Sequence, residues 1–340
     1  MPTKEELKMM QNMTLFGKVM MTKVRIREWV NHWGEDNVYV SFSGGKDSTV
    51  LLHLVREEFP NVPAVFVNTG LEYPEIQRFA RQFDNVTELR PEMRFNEVIH
   101  KYGYPVLSKA ISNVVYESRF GNSKSRICRI NGQLLNHDGT KSKYNCEKYE
   151  PLLRSDFAVS DRCCRVMKKS PAHSYERKFK KHPMTAQMAD ESMMREQVWL
   201  QHGCNGFDMK HPMGNPMSFW LEQDVLQYIK KHNIEICSVY GDIQPKGLQL
   251  ALDGMECELC TSGCQRTGCI FCGYGCHLEK GETRFQRLKR THPKQYDYCI
   301  GGGAYDPEDG LWKPDKNGLG MAHVFDELNK LYGENFIRYK

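Results

Sequence analysis

A glycine-rich turn joins a hydrophobic run to a helical pattern early in the chain, and this junction limits the folds open to the sequence. The run Val38 to Ser43 predicts a buried strand, and Asp47 to Glu58 predicts a helix. Between them, Gly44 and Gly45 lack Cβ atoms, so consecutive backbone N–H groups can face one ligand. The amino end of the helix and a lysine charge add attraction for an anion. The junction therefore predicts a pyrophosphate cradle made by Ser41, Ser43, Gly44, Gly45, Lys46, Asp47 and Ser48.

The pattern of strand and helix continues after this turn. Pro63 to Asn68 and Asn85 to Leu89 predict further strands, and Pro74 to Phe83 predicts the helix between them. This alternation predicts an α/β fold with a doubly wound, mainly parallel sheet covered by helices on both faces. Other helical patterns run over Lys4 to Trp33, Arg94 to Lys101, Leu107 to Phe120, Pro216 to Lys231 and, with a tail, Gly318 to Lys340.

Changes in composition suggest how the chain is divided. We expect an N-terminal helical segment at 1–36 and the sheet domain at 37–253, with a polar insertion at 121–160. Cysteine, glycine and arginine become frequent after Gly254, which predicts a small metal-organised module at 254–300. A C-terminal helix and tail would occupy 301–340.

The glycine-rich turn follows neither the Walker A pattern nor the dinucleotide pattern G-x-G-x-x-G. Ser-Gly-Gly-Lys-Asp-Ser directly after a hydrophobic strand instead resembles the PP-loop of the ATP pyrophosphatase superfamily. The resemblance implies an adenine nucleotide alpha hydrolase-like fold and cleavage of ATP between its α and β phosphates. It also implies that Lys46 and Asp47 are catalytic, with Asp47 helping to hold the Mg²⁺ that offsets charge on the leaving pyrophosphate.

Several later segments are similar to the phosphoadenylylsulfate (PAPS) reductase family, which also includes one ATP sulfurylase subunit. They are Phe66 to Glu75, Ser108-Lys109, Cys163-Cys164 through Pro171, Ala189 to Arg195, and Trp220 to Tyr228. The resemblance implies nucleotide binding by Asn68, Thr69, Gly70, Lys109 and Arg195. From the residues alone, Asn68-Thr69-Gly70 fits a plain turn equally well, Glu191 and Arg195 fit an ion pair within one helix, and Trp220 fits a core position.

Cysteines are concentrated in one stretch. Of 13 cysteines, six lie between Cys257 and Cys276 with the spacing C-x2-C-x3-C-x4-C-x2-C-x3-C, followed by His277. Two C-x2-C pairs so close together predict a metal site, because such a turn lets two thiolates converge on one ion. Zinc and iron–sulfur clusters both accept four thiolates, so the spacing leaves the metal open.

A further resemblance favours the iron–sulfur alternative. In iron–sulfur adenylylsulfate reductases a Cys-Cys pair joins a later G-C-x2-C pair to hold one [4Fe–4S] cluster, which implies Cys163, Cys164, Cys269 and Cys272 as ligands here. Four further cysteines are then unassigned: Cys257, Cys260, Cys264 and Cys276. They could form a second site, such as a zinc knuckle with His277, they could replace some of the four cluster ligands, or some of them could be sulfur-carrying thiols. Cys276 is the candidate catalytic thiol.

Charge and hydropathy bear on partners and location. The excess of 47 Lys and Arg over 42 Asp and Glu is small. However, the segment from Arg162 to Lys181 contains eight basic residues and one acidic residue, and the segment from Lys280 to Lys294 contains six basic residues and one acidic residue. Such runs indicate either solvated helix faces or a surface that binds nucleotide or nucleic acid. No apolar run is long enough for a membrane helix and no signal peptide is recognisable, so we expect a cytoplasmic protein with no membrane partner.

Three functions remain open from the sequence. The chain differs from the reductases because its PP-loop is intact and because no cysteine follows Cys299, where they carry a catalytic thiol. This difference favours an ATP-dependent enzyme that adenylylates a nucleotide, tRNA or DNA substrate for sulfur transfer, with a sulfur-donor protein as a further partner. The alternatives are a sulfonucleotide reductase with a relocated thiol and a non-enzymatic zinc protein that binds nucleic acid.

Overall fold

The computed structural model describes residues 2–246 and 258–340. Its α-helices are α1 (Lys4–Gln11), α2 (Leu15–Trp33), α3 (Lys46–Glu58), α4 (Pro74–Ala80), α5 (Phe95–Tyr102), α6 (Lys109–Arg119), α7 (Lys124–Ile130), α8 (Arg162–Cys164), α9 (Ser170–Phe179), α10 (Met193–His202), α11 (Glu222–His232), α12 (Arg284–Thr291), α13 (Pro293–Ile300) and α14 (Met321–Tyr332). Its strands are β1 (Val38–Ser41), β2 (Ala64–Val67), β3 (Val86–Leu89), β4 (Val106–Leu107), β5 (His182–Met184), β6 (Asn205–Gly206), β7 (Met213–Gly214), β8 (Ile243–Pro245), β9 (Leu259–Thr261), β10 (Gly273–Tyr274), β11 (Ala304–Tyr305) and β12 (Trp312–Lys313). Within these two ranges, no helix is both long and apolar enough to cross a membrane.

A six-stranded sheet has the order β3-β2-β1-β5-β7-β6. Neighbouring strands are parallel, as in the register of Val40 with Ala64 and Met184, except that β6 and β7 are antiparallel. The order reverses beside β1, since β2 and β3 lie on one side of it and β5 and β7 on the other. The prediction of an α/β fold with a mainly parallel sheet is confirmed.

Two compact units make up the described chain. One contains residues 2–68, 72–90, 171–246 and 258–267 and holds the large sheet. Its buried residues include Val38, Val40, Leu54, Ala64 and Phe66. The other contains residues 69–71, 91–170 and 268–340, with a core that includes Val106, Phe157, Phe285, Val324 and Phe325. The described part of the predicted module at 254–300 is divided between the units after Thr267. A separate metal-organised module therefore stays a prediction.

Three element boundaries differ from the sequence patterns for local reasons. The first helical pattern is split between α1 and α2, because the Thr14 hydroxyl caps α2 by accepting from the Gly17 N–H. Helix α11 begins at Glu222 instead of Pro216, because the Asp224 carboxylate accepts from the Leu221 N–H. The predicted polar insertion at 121–160 contains α7 and a 3₁₀ helix at Glu147–Arg154.

A buried ion pair fixes α11 against α2. Lys18 Nζ lies 2.5 Å from Asp224 Oδ2, and the two side chains are 2% and 11% exposed. One turn along α2, the Thr22 hydroxyl accepts from Trp220 Nε1 at 2.8 Å. Trp220 is fully buried, as its interpretation as a core residue requires.

We expect Lys18→Met to lower the free energy of unfolding by about 3–5 kcal/mol, because it leaves the Asp224 carboxylate buried without its cation. Lys4→Met is the matched control, since Lys4 forms an exposed ion pair with Glu196 and should change stability by less than about 1 kcal/mol. Urea unfolding followed by circular dichroism measures both. Equal midpoints for the two variants would contradict the importance of the buried pair.

Candidate functional site

The predicted phosphate cradle lies at the carboxyl end of β1, beside the point where the strand order reverses. In open parallel sheets, ligands bind in the crevice at such a reversal. Ser41 ends the strand and is half-buried, and α3 begins at Lys46. The fold therefore puts the Ser43–Ser48 loop where a doubly wound sheet binds its ligand.

Glycine is required in this loop by both backbone conformation and space. Gly44 has φ of +70°, and a Cβ there would lie 3.0 Å from Ile76 Cγ2. The two serine hydroxyls lie within the same loop: Ser43 Oγ is 3.0 Å from Ser48 Oγ, which donates to the Gly45 carbonyl at 2.9 Å. Both hydroxyls therefore line the cradle in defined orientations.

The Lys46 ammonium is buried and is balanced by protein groups. Nζ donates to the Gln265 carbonyl at 2.9 Å and lies 3.1 Å from Glu222 Oε1 and 3.8 Å from Asp47 Oδ1. The lysine side chain is 2% exposed, whereas that of Glu222 is 41% exposed. A phosphate that pairs with Lys46 must therefore compete with a carbonyl and a carboxylate.

The structure adds two residues to the loop that the sequence patterns did not indicate. The Tyr240 hydroxyl accepts from the Lys46 N–H at 3.3 Å and lies 2.6 Å from Thr267 Oγ1. Tyr240 is 2% exposed. These residues are far from the loop in sequence and belong to no recognised motif, so no local signal could have assigned them to it.

Asp47 has the properties of a metal-binding carboxylate. Its Oδ1 is buried and, among the described residues, receives no hydrogen bond. Burial raises the pKa of this carboxyl group, as does Glu222, while Lys46 and Arg266 oppose the rise. A carboxylate oxygen that lacks a hydrogen-bond donor beside a phosphate cradle fits a Mg²⁺ ligand.

Two arginines share one carboxylate near the loop. Glu191 forms an ion pair with Arg195 and accepts from Arg266 Nη2 at 2.9 Å. Glu191 ends a 3₁₀ turn and Ser192 caps α10, so the pair of Glu191 and Arg195 is not internal to one helix. Burial and the charge of Arg266 lower the pKa of Arg195, whereas Asp47 raises it. Arg195 thus interacts electrostatically with the PP-loop, and Arg266 is a further cation that the sequence patterns missed.

The Asn68-Thr69-Gly70 segment that follows β2 is divided between the two units. Asn68, in the first unit, is buried and donates to Glu88 Oε1 at 2.9 Å. Thr69 and Gly70 belong to the second unit, where Thr69 Oγ1 accepts from the Leu71 N–H at 3.1 Å and Gly70 has φ of +75°. Nucleotide binding by these three residues stays a prediction.

Within the second unit, the four predicted cluster ligands lie around one cavity. Its walls are Cys163, Cys164, Cys269 and Cys272 together with Leu71, Phe95, Pro105, Met167 and Lys168. The sulfur atoms of Cys163 and Cys164 are 4.0 Å apart. A mostly apolar pocket that gathers four thiols from distant parts of the chain has the donor set of a thiolate-bound metal centre.

Short backbone contacts position these cysteines. β10 pairs in parallel with β4, and the Gly273 N–H donates to the Pro105 carbonyl at 3.0 Å. Because Gly273 directly follows Cys272, this hydrogen bond positions the backbone of Cys272. The Tyr274 hydroxyl donates at 3.0 Å to the carbonyl of Ser160, just before the Cys-Cys pair. A π-helix, Arg165–Lys169, follows that pair, and such turns are frequent at functional sites.

The two adjacent cysteines differ in acidity. The hydrogen bond from Cys163 and the charges of Lys109 and Lys168 lower the pKa of Cys164, despite its burial. The same hydrogen bond, together with burial, raises the pKa of Cys163. Lys109 therefore lies beside the cysteines of the second unit, where its charge stabilises a thiolate.

The remaining cysteines of the stretch belong to different parts of the structure or lie outside it. Cys257 lies outside the described residues. Cys260 and Cys264 belong to the first unit and Cys276 to the second. Cys276 is 2% exposed and its thiol donates to the Gly273 carbonyl at 2.9 Å, while burial raises its pKa to about 12. A second metal site and the catalytic role of Cys276 stay predictions, and this environment disfavours a thiolate at Cys276.

A family model described as phosphoadenosine phosphosulfate reductase domain matches residues 37–131 and 123–274, more than half of the chain. Phosphoadenosine 5'-phosphosulfate reductase of Xanthomonas euvesicatoria pv. vesicatoria (strain 85-10) is 33% identical over 82 residues, which are 24% of this chain and 30% of that protein. Sulfate adenylyltransferase subunit 2 of Shewanella amazonensis (strain ATCC BAA-1098 / SB2B) is 27% identical over 224 residues, 62% of each chain.

A crystal structure of phosphoadenylyl-sulfate (PAPS) reductase from Candida auris in a phosphate complex aligns with 70% of this chain and 91% of its own. The sequence identity is 13% and the TM-score is 0.37, too low to support an argument about this chain. The chain spans about 30% of the length of the Xanthomonas reductase that it matches.

Two variants at the Lys46 ion pair should change anion binding in opposite directions. We expect Lys46→Ala to weaken ATP binding by about tenfold or more, because a charge-assisted hydrogen bond contributes about 1.5–3 kcal/mol. Glu222→Gln should tighten pyrophosphate binding in the absence of Mg²⁺ by about twofold to fivefold, since it removes the carboxylate that competes for the lysine. Calorimetry measures both, with Lys231→Ala, an exposed lysine of α11, as the control. Wild-type affinity for ATP in Lys46→Ala would overturn the assignment of the loop.

Proposed function

The chain belongs to the phosphoadenosine phosphosulfate reductase domain family, and from this membership we propose that it is an ATP-dependent PP-loop enzyme of sulfur metabolism. The observation that carries the proposal is the intact Ser43–Ser48 loop, with the buried Lys46 ammonium and the Asp47 oxygen that lacks a donor. A protein that only binds an already adenylylated sulfate does not need both a cradle and a metal ligand for pyrophosphate. We infer that the substrate is adenylylated and that sulfur then displaces the adenylate.

The loop residues have distinct parts in this reaction. A substrate oxygen attacks the α phosphorus of ATP, the bond from this phosphorus to the oxygen bridging to the β phosphate breaks, and pyrophosphate leaves. Lys46 and the N–H groups at the start of α3 stabilise the negative charge on the pyrophosphate. Asp47 would hold Mg²⁺, which supplies further charge neutralisation there. Arg195 and Arg266 would contact the phosphates or the substrate from the side of Glu191.

We further propose that Cys163, Cys164, Cys269 and Cys272 hold an iron–sulfur cluster, which would supply electron-transfer chemistry. Zinc bound by four thiolates at about 2.3 Å would bring their sulfur atoms to within about 4 Å of one another. The Sγ atoms of Cys163 and Cys164, 4.0 Å apart, also fit that spacing, so the proposal of a cluster rests on the resemblance of the two cysteine pairs to those of iron–sulfur adenylylsulfate reductases. Lys109 and Lys168 would offset its negative charge, as they do for the Cys164 thiolate.

Anaerobically purified protein should be brown and contain iron and sulfide in similar amounts. Serine at Cys163, Cys164, Cys269 or Cys272 should abolish the visible absorption, because thiolates are the ligands that hold such clusters. Cys260→Ser and Cys264→Ser are the matched controls and should stay brown. Protein that contains zinc alone, with no sulfide and no visible absorption, would instead support a zinc site.

For the substrate we propose a nucleotide or nucleic acid, tRNA or DNA, with a sulfur-donor protein as a further partner. The support is the pair of basic runs, which provide cations for a phosphate backbone. Part of that charge is offset by acids: Arg284 pairs with Glu279, while Arg287 and Arg290 pair with Glu282. In the run from Arg162 to Lys181, Arg162 pairs with Glu117.

The reaction can be tested by offering two sets of substrates to the whole chain. We expect AMP and pyrophosphate from ATP when tRNA or DNA is present, and little sulfite from adenylylsulfate or phosphoadenylylsulfate with a thiol reductant. The Lys46→Ala variant is the control that should lose ATP turnover. Sulfite release at about one per second or faster without ATP use would establish a sulfonucleotide reductase instead. Cys276→Ser would then test the relocated thiol.

A further inference from the structure

Two histidines and a glutamate lie together in the first unit, among residues outside the PP-loop and the cysteine pocket. They are His173, Glu176 and His211, and one ligand atom from each lies within 4.8 Å of the other two. His173 and Glu176 are half-buried and His211 is exposed. We propose that these three side chains bind one divalent transition-metal ion of the zinc class.

Secondary structure explains how the three residues meet. His173 and Glu176 are three residues apart on α9, so both lie on the same face of the helix. His211 comes from the connection between the antiparallel strands β6 and β7 at the edge of the large sheet. The His173 and His211 rings are 4.4 Å apart at 86°, and His173 Nδ1 is 3.8 Å from Glu176 Oε2. The site thus joins one helix to one hairpin.

A neighbouring tyrosine orients the carboxylate. The Tyr39 hydroxyl, on β1, donates to Glu176 Oε1 at 2.9 Å, which leaves Oε2 on the side of His173. Metal ligands commonly have such a hydrogen-bonded partner, which fixes the ligand orientation and raises affinity.

The ligand set selects the type of metal. Two imidazoles and one carboxylate suit zinc and similar first-row ions, whereas Mg²⁺ and Ca²⁺ prefer oxygen ligands. Around a tetrahedral ion with bonds of about 2.0–2.2 Å, the ligand atoms lie roughly 3.3–3.6 Å apart. The three ligand atoms, which lie within 4.8 Å of one another, must therefore close by up to about 1.5 Å, which side-chain rotation allows because His211 is exposed. Three protein ligands leave a fourth position for water or a small ligand.

The test counts metal ions bound by the full-length chain at a buffered concentration of free Zn²⁺. We expect His173→Ala and His211→Ala each to bind one zinc fewer than the wild type, while any zinc on the cysteines is unchanged. His137→Ala, an exposed histidine elsewhere, should bind the wild-type number. Equal zinc content in wild type and both site variants would overturn the proposal.

A second measurement separates ligation from a merely structural role. Co²⁺ bound by nitrogen and oxygen ligands should give weak visible bands that disappear in His211→Ala, with circular dichroism showing that this variant remains folded. Tyr39→Phe should keep these bands but require about tenfold more Co²⁺, because it removes only the partner of Glu176. Wild-type Co²⁺ bands in folded His211→Ala would also refute the site, and neither result depends on ATP use or on an iron–sulfur cluster.

Discussion

A buried ammonium group requires compensating charge, and the geometry of the PP-loop follows from how Lys46 obtains it. Burying an unpaired cation costs several kcal/mol, so the lysine must have an anion or a set of oxygens within reach. Glu222, Asp47 and the Gln265 carbonyl supply these groups in the structure described. The loop is therefore organised in advance for a phosphate, and binding exchanges one set of oxygens for another. Such a site would lose little conformational entropy on binding a nucleotide, which is the advantage of preorganisation.

The position of Glu222 depends in turn on a second buried charge. Glu222 is the first residue of α11, and Asp224 on the same helix pairs with Lys18 on α2. Asp224 also accepts from the Leu221 N–H, so one carboxylate both caps α11 and attaches it to α2. Helix α2 thus helps to position the PP-loop although it contains none of the loop's motifs. This arrangement links the stability of the first unit to the charge balance of its loop.

Local sequence patterns predict the parts of the site that are formed by a few adjacent residues. The Ser43–Ser48 loop is predicted in this way, because it needs only adjacent glycines, a lysine and serines at a strand-to-helix junction. The set of four cysteines is instead what the resemblance to iron–sulfur adenylylsulfate reductases implies. Gln265, Tyr240 and Glu222 could not be found, since they reach Lys46 only through the tertiary fold. Strands β5, β6 and β7 were missed for a different reason. They have two or three residues each, too few to show a period of two, and β5 contains Pro183.

The placement of the thiols limits how sulfur can move in the proposed reaction. A sulfur atom that ligates the cluster cannot at the same time act as a free carrier, which removes Cys163, Cys164, Cys269 and Cys272 from that role. Cys276 is buried and its proton is held by the Gly273 carbonyl, so it cannot meet a second protein or a large substrate in the conformation described. Sulfur delivered from outside needs no such thiol, because the activated carbon or phosphorus is attacked by the donor itself. Of the described cysteines considered as sulfur carriers, Cys260 and Cys264 remain, and a sulfur-donor protein is the proposed alternative that needs neither.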